Sequence, residues 1–480
     1  MRQWMVAAKK ADFYAIAEKF HVDPVVARII RNREVIGEKN IRIYLGGNLS
    51  DLSDPHQMKD MDRLVEILAQ KIRKQVHIRI IGDYDVDGVT SSHLFLTALR
   101  RVGAKVDVVI PHRIQDGYGL SLHLLQQAKE DGVDTILTCD NGIAAIDEIA
   151  WAKAQKMTVL VTDHHAVPFE EHEGRRTEKK SLADAVVNPH QQDCRYPYKE
   201  LCGAGVAWNV IRVLYENYDM DKREAEDLLD FVAMATVCDV MSLTEENRIL
   251  VKEGLKRIRH TKNIGLQALM QACNVQPENI SAYHFGYVLG PCVNATGRLD
   301  TARHALRLFE TGQETEAEEI ARDLVDLNQE RKELTLQGVE MAKKLCEEGG
   351  YENDPVLVLF LPDVHESIAG LIAGRIREMY NRPVFVLTRG EEGVKGSGRS
   401  TENYSMYENM CGCAELFTKF GGHPMAAGLS LPEENVEKFR RKINENCPLT
   451  VEEVCPDIHI DMAMPVGYAS TKLVHQFALL

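Results

Sequence analysis

Between residues 76 and 240 short apolar runs alternate with segments of helical period, and this alternation limits the fold more than any other feature of the chain. "VHIRII" (76–81), "KVDVVIP" (105–111), "VDTILTC" (133–139), "MTVLVT" (157–162) and "ADAVVN" (183–188) have the length and β-branched content of strands. "VTSSHLFLTALRR" (89–101), ended by Gly103, and "AAIDEIAWAKAQK" (144–156) read as helices between them. Strands that are apolar nearly throughout must be covered on both faces, so the segment predicts an open, mostly parallel α/β sheet. A second, smaller α/β pattern follows at 355–362, 368–380, 383–388 and 432–446. Between the two, residues 305–349 read as one long charged helix with a single buried stripe at Ala317, Ile320, Leu324 and Leu327. The expected organisation is a polar helical segment over 1–75, an α/β domain over 76–304, a connecting helix over 305–349, a smaller α/β domain over 350–449, and a further element beginning in 450–480.

Composition narrows the classes. No run of eighteen apolar residues exists and the first twenty residues lack a secretory pattern, so the sequence predicts a cytosolic chain with no membrane association. Eleven cysteines are scattered without paired C-x-x-C spacing; Cys411 and Cys413 have no second pair, which argues against a disulfide or zinc framework. A formal charge of −15 excludes indiscriminate coating of nucleic acid but leaves room for a local basic groove. "VKEGLKRIRHTK" (251–262) reads either as such a groove or, with slight preference, as an exposed helix face.

The chemistry concentrates at strand ends. In "IIGDYDVDG" Asp83, Asp85 and Asp87 fall two apart after the first strand, so an extended backbone would turn them to one side. Such an array is either a solvated turn or a cation site, because crowded carboxylates repel one another unless a cation lies between them. "TCDNG" puts Asp140 just past another strand, and "VTDHH" puts Asp163, His164 and His165 past a third. Ligands of open α/β sheets bind outside the carboxyl ends of the strands, so three strands deliver acid or imidazole to one edge. Asp239 interrupts the apolar "MATVCDVMSL", and an isolated carboxylate there needs a partner. An oxygen-rich set with one or two imidazoles suits Mn²⁺ or Mg²⁺ better than zinc, with ligands enough for two ions sharing a bridging carboxylate. Hydrolysis of a phosphate ester is the natural inference.

"DYDVDG", "DNG", "DHH" and the "CD" of "ATVCDV", in this order, resemble the motifs of the DHH phosphoesterase superfamily. "HRIQDGYGLS", "LGPCVNATGRLD", "GSGRS" and "FGGHPMAAGLS" extend the likeness, over about residues 20–465, to the RecJ-type exonucleases, which degrade single-stranded DNA from its 5′ end. The resemblance implies a DHH domain joined by a long helix to a DHHA1 domain. It implies Asp83, Asp85, Asp87, Asp140, His164 and Asp239 as ligands of two Mn²⁺ ions, with Mg²⁺ the alternative and Asp140 bridging. Asp140, Asp163 and His165 would form the catalytic group, His165 facing the scissile phosphate. Arg113, Tyr118, Asn294, Arg298, Ser397, Arg399 and His423 would bind the strand. "GGHPMAAG" taken alone reads equally as a turn into a packed strand. The resemblance further implies a monomer supplied with single strands by a helicase and a single-strand-binding protein. Two features depart from the family pattern: a charged insertion at 169–184, and Glu366 and Ser367 in "HESIAG". Family members continue into an OB-fold, whose start the segment 450–480 would be. The rival readings are a phosphodiesterase for short oligonucleotides or cyclic dinucleotides, a family-II-type pyrophosphatase, and a non-catalytic single-strand-binding scaffold.

Overall fold

A computed structural model describes residues 3–113, 116–172, 175–351, 353–390, 393–450 and 457–480. The chain divides into two compact units, Met1–Arg33 with Gln329–Ala478, and Glu34–Asn328 with Leu479–Leu480. The strands in chain order are β1 (Gln3–Val6), β2 (His77–Ile81), β3 (Lys105–Val109), β4 (Thr135–Cys139), β5 (Thr158–Thr162), β6 (Phe169–His172), β7 (Arg175–Glu178), β8 (Ala185–Val187), β9 (Leu357–Phe360), β10 (Val384–Gly390), β11 (Gly393–Arg399), β12 (Lys419–His423), β13 (Ala426–Leu431) and β14 (Asp457–Ile460).

The Glu34–Asn328 unit is built on the parallel sheet β3-β2-β4-β5-β8, whose members are the five runs expected from the sequence. From β2 the chain steps outward to β3 and then returns to the other side of β2 as β4, so the strand order reverses between β2 and β4. That reversal leaves the crevice where doubly wound sheets bind ligands. Helix Val86–Arg101 lies in the middle of the unit, with Val89, Leu94, Phe95 and Leu99 fully buried in the core it shares with helices Gly203–Asn217 and Leu229–Cys238. Its fixed position holds the loop before it. The charged insertion is a small antiparallel hairpin of β6 and β7; Glu173 and Gly174 at its centre lie outside the described residues. The basic run 251–262 falls on helix Glu245–Ile258, where Arg257 pairs with Glu226 and Asp227, and Lys256 with Glu253. Two of its five basic residues are thus paired with acids, and Lys252 donates to the Leu45 carbonyl.

The single helix expected over 305–349 is two: Arg303–Glu310 and Glu314–Glu348, parted at Gly312. Thr311 and Arg307 both bond the Glu316 side chain, which secures the corner. On the longer helix Ala317, Ile320 and Leu324 are buried as expected, but Leu327 is only half-buried and Asn328 takes the inward place, since a 3.6-residue period drifts past a strict spacing. The boundary between the two units falls inside this helix.

In the other unit, β12-β13-β11-β10-β9 form a mixed sheet in which only β9 and β10 run parallel. The "GGHPMAAG" segment is a hairpin turn between β12 and β13, pairing His423 with Ala426. The first residues are not helical: β1 pairs in parallel with β14, 454 positions later, Gln3 opposite Asp457. Asn32 reinforces this closure by donating to the Asp461 carbonyl and carboxylate at 3.0 Å.

Candidate metal centre

Three loops at the carboxyl edge of the sheet carry the acids. Asp85 caps helix Val86–Arg101, accepting from the Gly88 amide at 3.0 Å, and the chain turns there so tightly that a Cβ on Gly88 would meet the Asp83 backbone at 2.5 Å. The three aspartates do not all face one side as an extended strand would place them. The helix begins at Val86, so Asp87 is placed by helical rather than extended backbone. The buried Asp87 carboxylate instead accepts from the Gly203 and Ala204 amides at 2.6 and 2.8 Å, the first turn of helix Gly203–Asn217. Asp140 follows β4 with φ +62°, a left-handed conformation uncommon outside glycine.

Ligand atoms gather within 4.8 Å of one another in overlapping sets: Asp83, Asp85 and Asp140; Asp87, His164 and Asp239; Asp140, His164 and His165. His164 Nε2 lies 3.1 Å from Asp140 Oδ1, 3.5 Å from Asp239 and 3.7 Å from Asp87, yet makes a good hydrogen bond to none of them. Asp83 Oδ2 and Asp140 Oδ1 are likewise buried and unbonded. Unpaired buried groups are costly, and here three of them converge. Burial, then the charges of Asp85 on Asp83 and of Asp87, Asp85 and Asp83 on Asp140, push both carboxyls well above the usual range. Burial with Asp87 raises Asp85, and burial with Asp87 and Asp85 lifts Asp239 to about 8. Burial lowers His164, keeping its ring neutral and its nitrogen free to ligate. A divalent cation removes these conflicts together, and the donor set, mainly oxygen with one imidazole, fits Mn²⁺ or Mg²⁺. Asp140 belongs to the Asp83–Asp85 set and also contacts His164, so it has the placement of a bridge.

Asp163 stands behind this set. It accepts from the Ile143, His164 and His165 amides at 2.7–3.0 Å and from His165 Nδ1 at 2.8 Å. Against its burial, these bonds hold Asp163 below the usual carboxylate range, and against its own burial His165 is raised to about 9. Asp163 therefore orients the His165 imidazole. Tyr118 donates to the Asp140 carbonyl at 2.8 Å and its hydroxyl lies 3.2 Å from His165 Nε2. Arg113 sits over the Tyr84 ring at 4.8 Å, and Tyr84 packs edge-on to Tyr118; Ile114 and Gln115 of the same motif lie outside the described residues. Asn294 accepts from the Val86 amide at 3.2 Å, and Arg298 is one turn further along the same helix.

Ser397, Arg399 and His423 belong to the other unit. Ser397 and Arg399, alternate residues of β11, face the start of helix Ala369–Tyr380: a Cβ on Gly370 would come within 2.8 Å of the Arg399 guanidinium and 3.5 Å of Ser397. A helix amino terminus beside a guanidinium is suited to an anion. His423 is exposed at the hairpin. The departures in "HESIAG" are accommodated locally, Glu366 pairing with Lys395 at 2.9 Å and Ser367 with the His365 ring at 2.7 Å. Sequence reasoning missed the Gly203 and Ala204 amides and the Tyr84 support for Arg113. The only signal for the former was a run of small residues, "CGAG", opening a helix.

The DHH family N-terminal domain matches residues 77–236 and the DHHA1 domain residues 353–447. The single-stranded-DNA-specific exonuclease RecJ of Haemophilus influenzae is 36% identical, over 88% of this chain and 74% of that protein. Its Bacillus subtilis counterpart is 33% identical over 97% of this chain, which spans 58% of that relative's length. The structure of Thermus thermophilus RecJ in complex with Mn²⁺ superposes with a TM-score of 0.83 at 26% identity, covering 99% of this chain and 67% of the other. By its ordered motifs, its two domains and these relatives, the chain belongs to the RecJ family.

Proposed function

We propose that this chain is a divalent-cation-dependent exonuclease that hydrolyses single-stranded DNA from its 5′ end to mononucleotides. The observation that carries the reading is the pair of ligand sets meeting at Asp140, in a member of a family whose relatives are named for single-strand-specific exonuclease activity. Asp83, Asp85 and Asp140 would hold one cation, and Asp87, Asp140, His164 and Asp239 the other. Two such cations supply a water that is nucleophilic at neutral pH and neutralise charge on the attacking and leaving oxygens. His165, oriented by Asp163, would face the scissile phosphate and donate to a phosphoryl oxygen as its charge grows. Tyr118 limits the swing of that ring. Arg113 and Arg298 offer guanidinium forks to backbone or terminal phosphate, with Asn294 steadying the loop between Asp85 and Asp87. Ser397 and Arg399 offer a second phosphate cradle, and His423 a further backbone contact. The enzyme would act as a cytosolic monomer on strands opened by a helicase and handed over from a single-strand-binding protein.

The test is time-resolved digestion of oligonucleotides labelled at either end, with Mn²⁺, with Mg²⁺ and with chelator. Release of labelled mononucleotide first from the 5′ label, only with metal and only from single strands, is the expected result. Rapid cleavage of a dinucleotide or cyclic dinucleotide with a long strand left intact would move the chain to a different substrate class, and tight strand binding with no release would make it a scaffold.

A further inference from the structure

The helical run 283–299 has an accessible stripe that the metal centre leaves unexplained. Tyr283 and Tyr287 are its exposed positions, and Pro291, Asn294 and Arg298, partly buried like His284, Gly286, Val288 and Leu299, continue them at helical spacing, while Phe285, Leu289, Cys292, Val293 and Ala295 are buried. Spacings of four, four, three and four put the accessible residues on one side of a helix. At the far end of the stripe Tyr283 and Tyr287 are 62% and 72% exposed, and their rings stack on each other at 5.1 Å with 25° between planes. Two large rings stacked together and mostly open to water, with the His284 ring edge-on to Tyr283, form a ready flat surface.

The near end is anchored at the acids. Asn294 accepts from Val86, between Asp85 and Asp87. The turn Phe285–Leu289 is a π-helix just ahead of Pro291, which has no amide to give, and such turns are frequent at functional sites. It packs on the end of helix Leu229–Cys238: the Cys238 thiol donates to the Phe285 carbonyl at 3.3 Å, and a Cβ on Gly290 would strike the Cys238 sulfur at 2.3 Å. The next residue is Asp239. The tyrosine pair is thus tied to the metal centre through both Asp239 and Asn294, with Tyr287 roughly 16 Å along the axis from Arg298 by helical rise.

We propose that Tyr283 and Tyr287 form a base-stacking platform for the single strand whose terminal nucleotide lies at the metal centre. This rests on the exonuclease reading above and adds to it a contact with bases several nucleotides from the reacting end. Stacking tolerates any base, and it requires bases whose faces are open, as in a single strand. Continuity of the accessible stripe with Asn294 and Arg298 favours the substrate strand as the occupant over a protein partner.

The experiment measures steady-state release of mononucleotides from a 5′-phosphorylated oligothymidine with Mn²⁺, together with a series in which one position at a time is abasic. For the wild-type enzyme one or two internal abasic positions should raise KM about ten-fold. Joint Tyr283→Ala and Tyr287→Ala substitution should raise KM by a similar factor on the intact strand, with kcat changed far less, and should abolish the sensitivity to those abasic positions. Tyr283→Phe with Tyr287→Phe should restore wild-type behaviour, because the ring and not the hydroxyl stacks. An unchanged KM in the alanine variant, or abasic sensitivity that persists in it, overturns the platform. Failure of the wild-type enzyme to degrade any oligonucleotide overturns the exonuclease reading itself, a separate outcome.

Discussion

Asp140 concentrates the logic of the site in one side chain. Its carboxylate is buried, unbonded on Oδ1 and repelled by Asp87, Asp85 and Asp83, an arrangement that calls for a proton or a cation to relieve it. Asp140→Asn should therefore reduce turnover by more than the roughly 100-fold typical of outer-shell changes at metal sites, while raising the melting temperature of the metal-free protein by relieving repulsion. Mn²⁺ should raise the wild-type melting temperature and leave that of the variant nearly unmoved, which a thermal-shift titration checks. His93 offers a pH test away from the metal centre. It is buried against Phe231 and Phe309, and burial lowers it to about 3. In the unfolded chain histidine titrates near 6.5, so between about pH 6.5 and 3 the unfolded state binds the extra proton and stability falls as pH falls. By pH 5.5 the loss should reach about 1 kcal/mol, and His93→Phe should remove it in calorimetric melts at pH 7.5 and 5.5. That Asp83, Asp85, Asp140, His164 and Asp239 are potential ligands was legible in the sequence, because each follows or interrupts an apolar run. The grouping of Asp87 with His164 and Asp239 was not, since it depends on where a helix begins.

Among elements, the amino terminus of helix Gly203–Asn217 contributes most to the centre without supplying a ligand. Its first amides fix Asp87, and the approach of Gly203 to Asp140 leaves no room for a side chain: a Cβ there would lie 2.6 Å from the Asp140 Cβ. Gly203→Ala should displace both carboxylates at once and weaken Mn²⁺ binding by roughly 10- to 100-fold with the fold retained, measured by metal titration alongside circular dichroism. The sequence carried the parallel strands clearly, because strands buried on both faces are apolar throughout. It carried the β11–β13 antiparallel strands poorly. Gly396, Gly398 and Gly428 empty the side-chain pattern that would announce a strand, and at the first two the neighbours need that space: a Cβ on Gly396 would meet the Leu387 side chain at 2.4 Å and one on Gly398 the Met406 sulfur at 2.5 Å. The break at Gly312 was hidden for the opposite reason, since the charged helical pattern resumes within a turn on either side.

For the molecule as a whole, the ends of the described chain close on each other through β1 with β14 and through Asp23, whose amide donates to Gln476 at 2.6 Å. Deleting residues 1–10 should leave β14 without its partner, so that limited proteolysis cuts first within 457–468 while Mn²⁺ binding by the Asp140 centre, in the other unit, survives. The sequence by itself determined the parallel sheet, the acids and imidazoles at its strand ends and the oxygen-rich character of the ligand set, because period and burial are written locally in the order of apolar and polar residues. Only the tertiary structure decided which acids and imidazoles gather together, which distant amides hold Asp87, and where the first 33 residues belong. Those outcomes arise from contacts between residues far apart in the chain, and no local pattern records which segments meet.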